Sequence, residues 1–420
     1  MEPCNTTTPL LSIVIATRNR VPYAISAILS ILEISDARLE LVVQDNSESR
    51  DLESYVRCNV RDSRFRYRYT PPPFSSIDNF NAAVELATGE YVCLIGDDDG
   101  VNPEIMDAAE WAKRENIDSL GVRNVANYSW PKTGVPPTLF TKITEATLQV
   151  SPFKGYLIDA DCEKEMRALI RNGALYYLFF KLPKLYHGLV HRRCLAAVHS
   201  KVGNYFGGLS PDIFSSLAIV CVAKRVVITD YPLTIPGVCR ASTSVTEGPL
   251  KKPSKDLKDA PHFRDRGDYQ WCELVPRFYA TETIWADSAV AALRAMGRED
   301  LVRQLNLPKL AAYCVGANRG VINLVMHDLL KGLQVTGKSR VIGIIRFACC
   351  LLTGPGTKFA HRAWVRLLVS SGIRVPYIAN GLQNMVEATH SLTCYLEKNG
   401  HRFSDLEKGS KISRSPLSSQ

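Results

Sequence analysis

Over the first 125 residues, short β-branched apolar runs alternate with longer stretches in which apolar residues recur at helical spacing. LLSIVIA (10–16) is nearly continuous in apolar character and predicts a buried strand, and PYAISAILSILEI behind it predicts a helix. The cycle repeats. LELVVQ (39–44) and FRYRYT (65–70) predict strands, NFNAAVELAT a helix closed by Gly89 at its C′ position, and YVCLI the next strand. Asn102, Pro103 and Glu104 supply an N-cap, a first-turn proline and an early acid for the helix PEIMDAAEWAKREN. Farther on, VVITDYPLTIPG (226–237) predicts another strand. Such βαβ alternation argues for a mainly parallel sheet covered by helices, with ligands gathered at the carboxyl ends of its strands.

The polar residues are placed accordingly. Thr17, Arg18 and Asn19 follow the first strand, Asp45 and Asn46 the second, and Asp97, Asp98 and Asp99 the fourth. Asp and Asn are also ordinary turn formers. The triple carboxylate asks for more, because YVCLIGDDDGVNP holds nothing basic to relieve its repulsion. A divalent cation relieves it most directly, taking oxygen ligands and leaving positions for phosphate oxygens. A metal bridging to a nucleotide diphosphate is the resulting expectation.

SIVIATRNR, VVQDNSES, NFNAAVELATGEYVCLIGDDDGVNP and GLSPDIFSSLA resemble, in that order, motifs of the family 2 glycosyltransferases, across about residues 10–245. The resemblance implies the GT-A fold, a Rossmann-like α/β architecture. It implies transfer of a sugar, with inversion, from a nucleotide-sugar (UDP-sugar favoured) to a glycan or lipid-linked acceptor in bacterial surface-polysaccharide synthesis. By the same resemblance Thr17, Arg18, Asn19, Asp45, Asn79 and Asp97 contact the donor, and Asp98 and Asp99 hold Mn2+ or Mg2+. One departure stands out: aligned on Pro103, the first acid of the family's L-D-x-D-D pattern is Gly96, which leaves Asp98 as the leading metal ligand.

Attack on an anomeric carbon needs a base for the acceptor hydroxyl. Asp212 matches the family's catalytic position, although Ser210-Pro211-Asp212 is also good helix-start chemistry. Arg240 and Ser242 suit phosphate oxygens just before a charged stretch that reads as a linker or a lid, 246–270. Tyr186 and His187 fall toward the acceptor side of a run that is otherwise core-like.

Composition adds a second region. A chain of 420 residues exceeds one ordinary core, so the GT-A domain is set at 1–245 and a mostly helical, basic region at 271–405, with 406–420 as a disordered tail. The 12 cysteines form no C-x-x-C, His191 and Cys194 lack a second ligand pair, and the N-terminus lacks a signal-peptide pattern. A cytoplasmic protein is expected, peripheral on the inner face of the plasma membrane. Residues 329–386 hold eight Lys or Arg and no acid, close to the whole formal charge of +9. Within them KFAHRAWVRLLVSSGIRV suits an anionic membrane surface better than nucleic acid, against the plain alternative of a solvated helical face. GLQVTGKS (332–339) matches the P-loop pattern but follows a helical stretch and has no acid from Leu329 through Val386, so it is read as a helix-ending turn. Two rivals remain at this level: a nucleotidyltransferase, and a nonenzymatic docking protein on a degenerate GT-A fold.

Overall fold

A computed structural model describes residues 8–134, 144–242, 257, 261–353 and 375–409. The expected rhythm is present: β1 (Leu11–Thr17), α1 (Val21–Leu32), β2 (Leu39–Asp45), α2 (Asp51–Asn59), β3 (Phe65–Tyr69), α3 (Ser76–Leu86) and β4 (Tyr91–Ile95). These strands lie in the order β3, β2, β1, β4, all parallel. The chain steps outward from β1 to β3 and then returns to the other side of β1, so β1 and β4 flank the topological switch point where such sheets form a crevice.

Both faces of the sheet are covered at β1, β2 and β4, which is why β1 and β4 read as continuous apolar runs, whereas β3 (FRYRY) at the sheet edge is only half-buried. Ile13 and Ile15 pack with α1, whereas Val14 between them packs with Ile77 and Ala83 of α3. The chain continues through β5 (Gly100–Val101), α4 (Ile105–Arg114), β6 (Ser119–Val122), β7 (Ala126–Ser129), β8 (Thr147–Val150) and β9 (Leu157–Asp159). Then come α5 (Cys162–Arg171), β10 (Leu189–His191), α6 (Arg192–Val202), α7 (Pro211–Val220), β11 (Val226–Thr229), β12 (Thr234–Ile235) and β13 (Gly237–Val238). Short β10 inserts antiparallel between β4 and β6, and the main sheet reaches eight strands. The α/β class is as expected.

Two local expectations need correction. α3 ends at Leu86 with Ala87 extended, so Gly89 is not a helix C′ residue. Glycine is needed there for close approach instead: a Cβ on Gly89 would lie 2.6 Å from the Ser12 amide nitrogen. Gly89→Ala is expected to destabilise the fold by about 1–3 kcal/mol through overpacking, as measured by urea denaturation. Likewise α4 starts only at Ile105, and the Asn102 side chain accepts from the Glu104 amide at 3.1 Å, closing a turn before the helix.

Helices Thr281–Ala295, Leu307–Ala317 and Ile322–Val335 extend the core that holds α5 and α7. Residues 377–409 return to the opposite face. There β14 (Tyr377–Asn380) pairs with β8, and helix Met385–Lys398 lies on α1, with the Met385 amide donating to the Ser26 hydroxyl at 2.9 Å. Helix Phe403–Gly409 runs into the stretch read as a tail. GLQVTGKS does end a helix, with Gly337 at φ +67°. The KFAHRAWVRLLVSSGIRV segment lies, but for its last residue, outside the described residues, as does most of the 246–270 linker.

Asp287 on helix Thr281–Ala295 is buried and accepts from Tyr269 at 2.5 Å and the Cys272 amide at 2.8 Å. Burial pushes its carboxyl up to about 6, against those donors. The folded pKa lies above the unfolded one, so this contribution to stability is full below about pH 4 and lost as pH rises through about 6. Unfolding measured between those pH values is expected to show a loss of about 3 kcal/mol that Asp287→Asn lacks.

Candidate active site

The three polar clusters meet at one edge. Thr17 ends β1, and its hydroxyl donates to Asp97 at 2.6 Å across the β1–β4 crevice. Arg20, the residue that precedes α1, donates to Asp97 at 2.9 Å and approaches Asp98 at 3.5 Å. The missing cation of the aspartate turn therefore comes from the loop after β1. Asp98 also accepts from the Ser242 hydroxyl at 2.5 Å, and its carbonyl accepts from the Trp130 indole at 2.9 Å. Asp99 takes four donors: the amides of Gly96 at 2.6 Å and Gly237 at 2.7 Å, the Tyr186 hydroxyl at 3.0 Å, and His187 at 3.2 Å.

These environments separate the three carboxyls. Burial raises Asp97 above the ordinary range, opposed by Arg20 and Thr17. Burial and the repulsion of Asp99 and Asp97 push Asp98 up to about 7, with Arg20 and Ser242 opposing. Burial works against Asp99 too, but His187 and the two amides outweigh it, and Asp99 titrates below the usual range. Asp99 is thus the fixed anion of the turn, and Asp98 is the strained one.

Asp212 stands in the first turn of α7, half-buried, with its carboxyl more enclosed than the residue as a whole. It does not serve as a helix cap in the way its local sequence allows. Ser210 makes no side-chain cap bond, and the Asp212 carboxylate accepts from Tyr177 within electrostatic reach of His187, Lys184 and Asp99. Burial raises its pKa; His187, Tyr177 and Lys184 hold that rise back. Its neighbour Lys184 is pushed by burial, and by Arg123, down to about 8.

Residues 12–164 match the family model described as Glycosyl transferase family 2. The matched residues run from β1 through the aspartate turn to α5. Over 97 residues it is 34% identical to WcaA of Escherichia coli (strain K12), assigned as a colanic acid biosynthesis glycosyl transferase; the match spans 23% of this chain and 34% of WcaA. Among solved structures, S. aureus TarS 1–349 in complex with UDP-GlcNAc aligns at 13% identity and a TM-score of 0.46, covering 83% of this chain and 92% of TarS 1–349. The mannosyltransferase PcManGT from Pyrobaculum calidifontis, in complex with GDP-Man and Mn2+, aligns at 13% identity and a TM-score of 0.35, covering 78% of this chain and 88% of its own.

The other expected residues divide into two groups. Asn19 accepts from the Glu48 amide and Asn79 donates to the Thr17 carbonyl at 3.2 Å, so both line the same edge. Arg18 reaches Asp265 at 2.8 Å and the Phe74 carbonyl, tying β1 to the C-terminal part. Asp45 faces inward: it is fully buried and accepts from the Ser47 amide at 2.8 Å and the Tyr67 hydroxyl at 2.7 Å. Arg240 is exposed. Nine buried side-chain polar atoms lack a partner among the described residues, and four of them belong to Arg18, Asn46, Asn79 and His187, at or beside this edge. Buried polar atoms are normally paired, so these four are groups that a water or a polar ligand in the crevice would satisfy.

Sequence reasoning missed Arg20, Gly237 and Trp130. A Cβ on Gly237 would lie 1.8 Å from the Asp98 carbonyl oxygen, which is why glycine follows Pro236 there. Gly96 also has a reason: a Cβ at that position would meet the Tyr186 hydroxyl at 2.7 Å, the same hydroxyl that holds Asp99. Among the described residues no three His, Cys, Asp or Glu side chains form a metal cluster. The donor set decides what could be held. Asp99, expected as a ligand, has both oxygens occupied by four donors and does not fit the role, whereas Asp98 keeps one oxygen only loosely held and fits a divalent cation.

Proposed function

We propose that this chain is an inverting glycosyltransferase that moves a sugar from a nucleotide-diphosphate sugar, a UDP-sugar first among the candidates, to a hydroxyl of a glycan or lipid-linked acceptor in polysaccharide biosynthesis. The observation that carries the reading is the meeting of the β1 and β4 strand ends with Asp212, around a crevice whose own polar atoms are left unpaired.

In this reading Thr17, Asn19 and Asn79 shape the nucleotide side of the crevice, and Asp45 holds its wall through Tyr67 rather than meeting the ligand. Arg240 and Ser242 border the diphosphate, with Ser242 fixing the Asp98 carboxylate and Arg20 supplying positive charge beside it. Mn2+ or Mg2+ bound through Asp98 would stabilise the leaving diphosphate. Asp212 takes the proton of the acceptor hydroxyl as its oxygen bonds to the anomeric carbon and the carbon–oxygen bond to the diphosphate breaks. A carboxyl raised by burial is a better base near neutral pH than an exposed one. His187 and Tyr177 keep it ionised and oriented.

The test is release of nucleoside diphosphate from UDP-, GDP-, dTDP- and CDP-sugars, with the anomeric configuration of the product read by NMR. Release from one donor class with inverted product supports the reading. No release from any donor with Mn2+ present overturns it, and a retained configuration removes Asp212 as base.

A further inference from the structure

The helix formed by residues 340–353 is packed the wrong way round for a solvated surface helix. Its buried positions are Gly343 and Phe347, with Cys350 and Leu351 half-buried, so a single stripe faces the core. The opposite side is apolar as well: Val341 is 67% exposed, Ile345 57% and Leu352 83%, with Ile342 and Ile344 beside them. An ordinary amphipathic helix places charge on that side. Single exposed apolar residues are common on protein surfaces, but a stripe of this kind marks an interaction site.

A cavity of about 360 Å³ lies at the start of the same helix. Leu305, Pro308, Leu333 and Ile342 give it apolar walls, and Arg171, Lys338 and Arg346 line it with positive charge and no carboxylate. Ile342 belongs both to the cavity and to the exposed stripe, so the cavity opens where the apolar face begins. Lys338 donates to the Leu305 carbonyl at 3.1 Å, and burial and Arg346 lower its pKa, as expected of an ammonium among cations. The surrounding stretch, 329–386, carries eight Lys or Arg and no acid.

We propose that helix 340–353 docks the protein on an anionic phospholipid bilayer, its apolar stripe entering the headgroup layer and the Arg171–Lys338–Arg346 cavity taking one lipid phosphate. Charge complementarity selects this occupant, since the charged residues of 340–353 are Arg340 and Arg346 and the cavity beside them holds cations and no carboxylate. The described residues 340–353 reach about 21 Å at about 1.5 Å each, short of a hydrocarbon core of about 30 Å. No described helix is long and apolar enough to cross a membrane. The surface shares no residue with the crevice around Asp97–Asp99, and the inference stands independently of the glycosyl-transfer reading.

The test is co-sedimentation of the full chain with vesicles of phosphatidylglycerol and phosphatidylcholine, against vesicles of phosphatidylcholine alone. Binding is expected only with phosphatidylglycerol and is expected to weaken with salt. Arg346→Gln is expected to lower the affinity about fivefold, and Ile345→Glu to abolish binding. Both side chains are exposed, so folding is not at stake. Absence of binding at low salt, or binding that survives Ile345→Glu, overturns the proposal. So does stabilisation by inorganic phosphate without vesicle binding, which would make the cavity a site for free phosphate. A dimer in sedimentation equilibrium that Ile345→Glu dissociates, without vesicle binding, would assign the stripe to a second copy of the chain and also overturn it.

Discussion

Asp212→Asn is expected to lower glycosyl transfer by about 10²–10⁴-fold while nucleotide affinity and the unfolding midpoint stay close to wild type. The loss comes from the base alone. Asparagine is nearly isosteric, keeps an oxygen to accept from Tyr177, and leaves the Asp97–Asp99 turn untouched, but it cannot take a proton from the acceptor hydroxyl. Steady-state rates and nucleotide binding measured on the same preparation separate this outcome from misfolding. Rates near wild type would move the base elsewhere, with His187 the next candidate by position.

Asp99→Asn is expected to be the more damaging change to the fold, costing about 3–5 kcal/mol in denaturant unfolding. Two backbone amides, the Tyr186 hydroxyl and His187 converge on this carboxylate. An amide offers one acceptor oxygen in place of two and turns an NH2 group toward donors. Asp98→Asn is the instructive contrast. Burial and its neighbours already hold the Asp98 carboxyl up to about 7, so removing its charge relieves the folded state and is expected to preserve or raise stability. Its cost should fall on metal-dependent donor binding. If both variants lost stability equally, the division of labour between a structural Asp99 and a ligand-facing Asp98 would be wrong.

What could be read from the chain depended on how local the determining interactions are. Strands β1 and β4 were legible because burial on both faces writes an uninterrupted apolar run, β3 by its alternation of aromatic and basic residues, and the polar residues closing β1, β2 and β4 fall at one edge by topology alone. β10 was not, since its three residues sit inside an aromatic stretch that reads as core and find their place only by inserting between β4 and β6. The charge balance of the aspartate turn was hidden for the same reason: Arg20 lies 77 residues before Asp97, and His187 approaches Asp99 from the segment just before β10. Gly89 and Gly237 show the limit from the other side. Each is glycine because a distant backbone or hydroxyl passes too close for a Cβ, and nothing in its own neighbourhood announces that. Asp212 stood in between, with a sequence context equally good for starting a helix until its contact with Tyr177 was seen.

A nucleotide-sugar site built from the β1–β4 crevice and Asp98 is what the proposed transfer requires. Thermal unfolding of the wild-type protein and of Asp98→Asn with UDP, GDP, dTDP and CDP, each with and without Mn2+, tests it most directly. The predicted result is stabilisation of the wild type by one nucleotide in the presence of Mn2+, about 2.7 kcal/mol at a hundredfold excess over the dissociation constant, and its loss in Asp98→Asn. Absence of a shift from every nucleotide, or an Mn2+-dependent shift of equal size in Asp98→Asn, would contradict it.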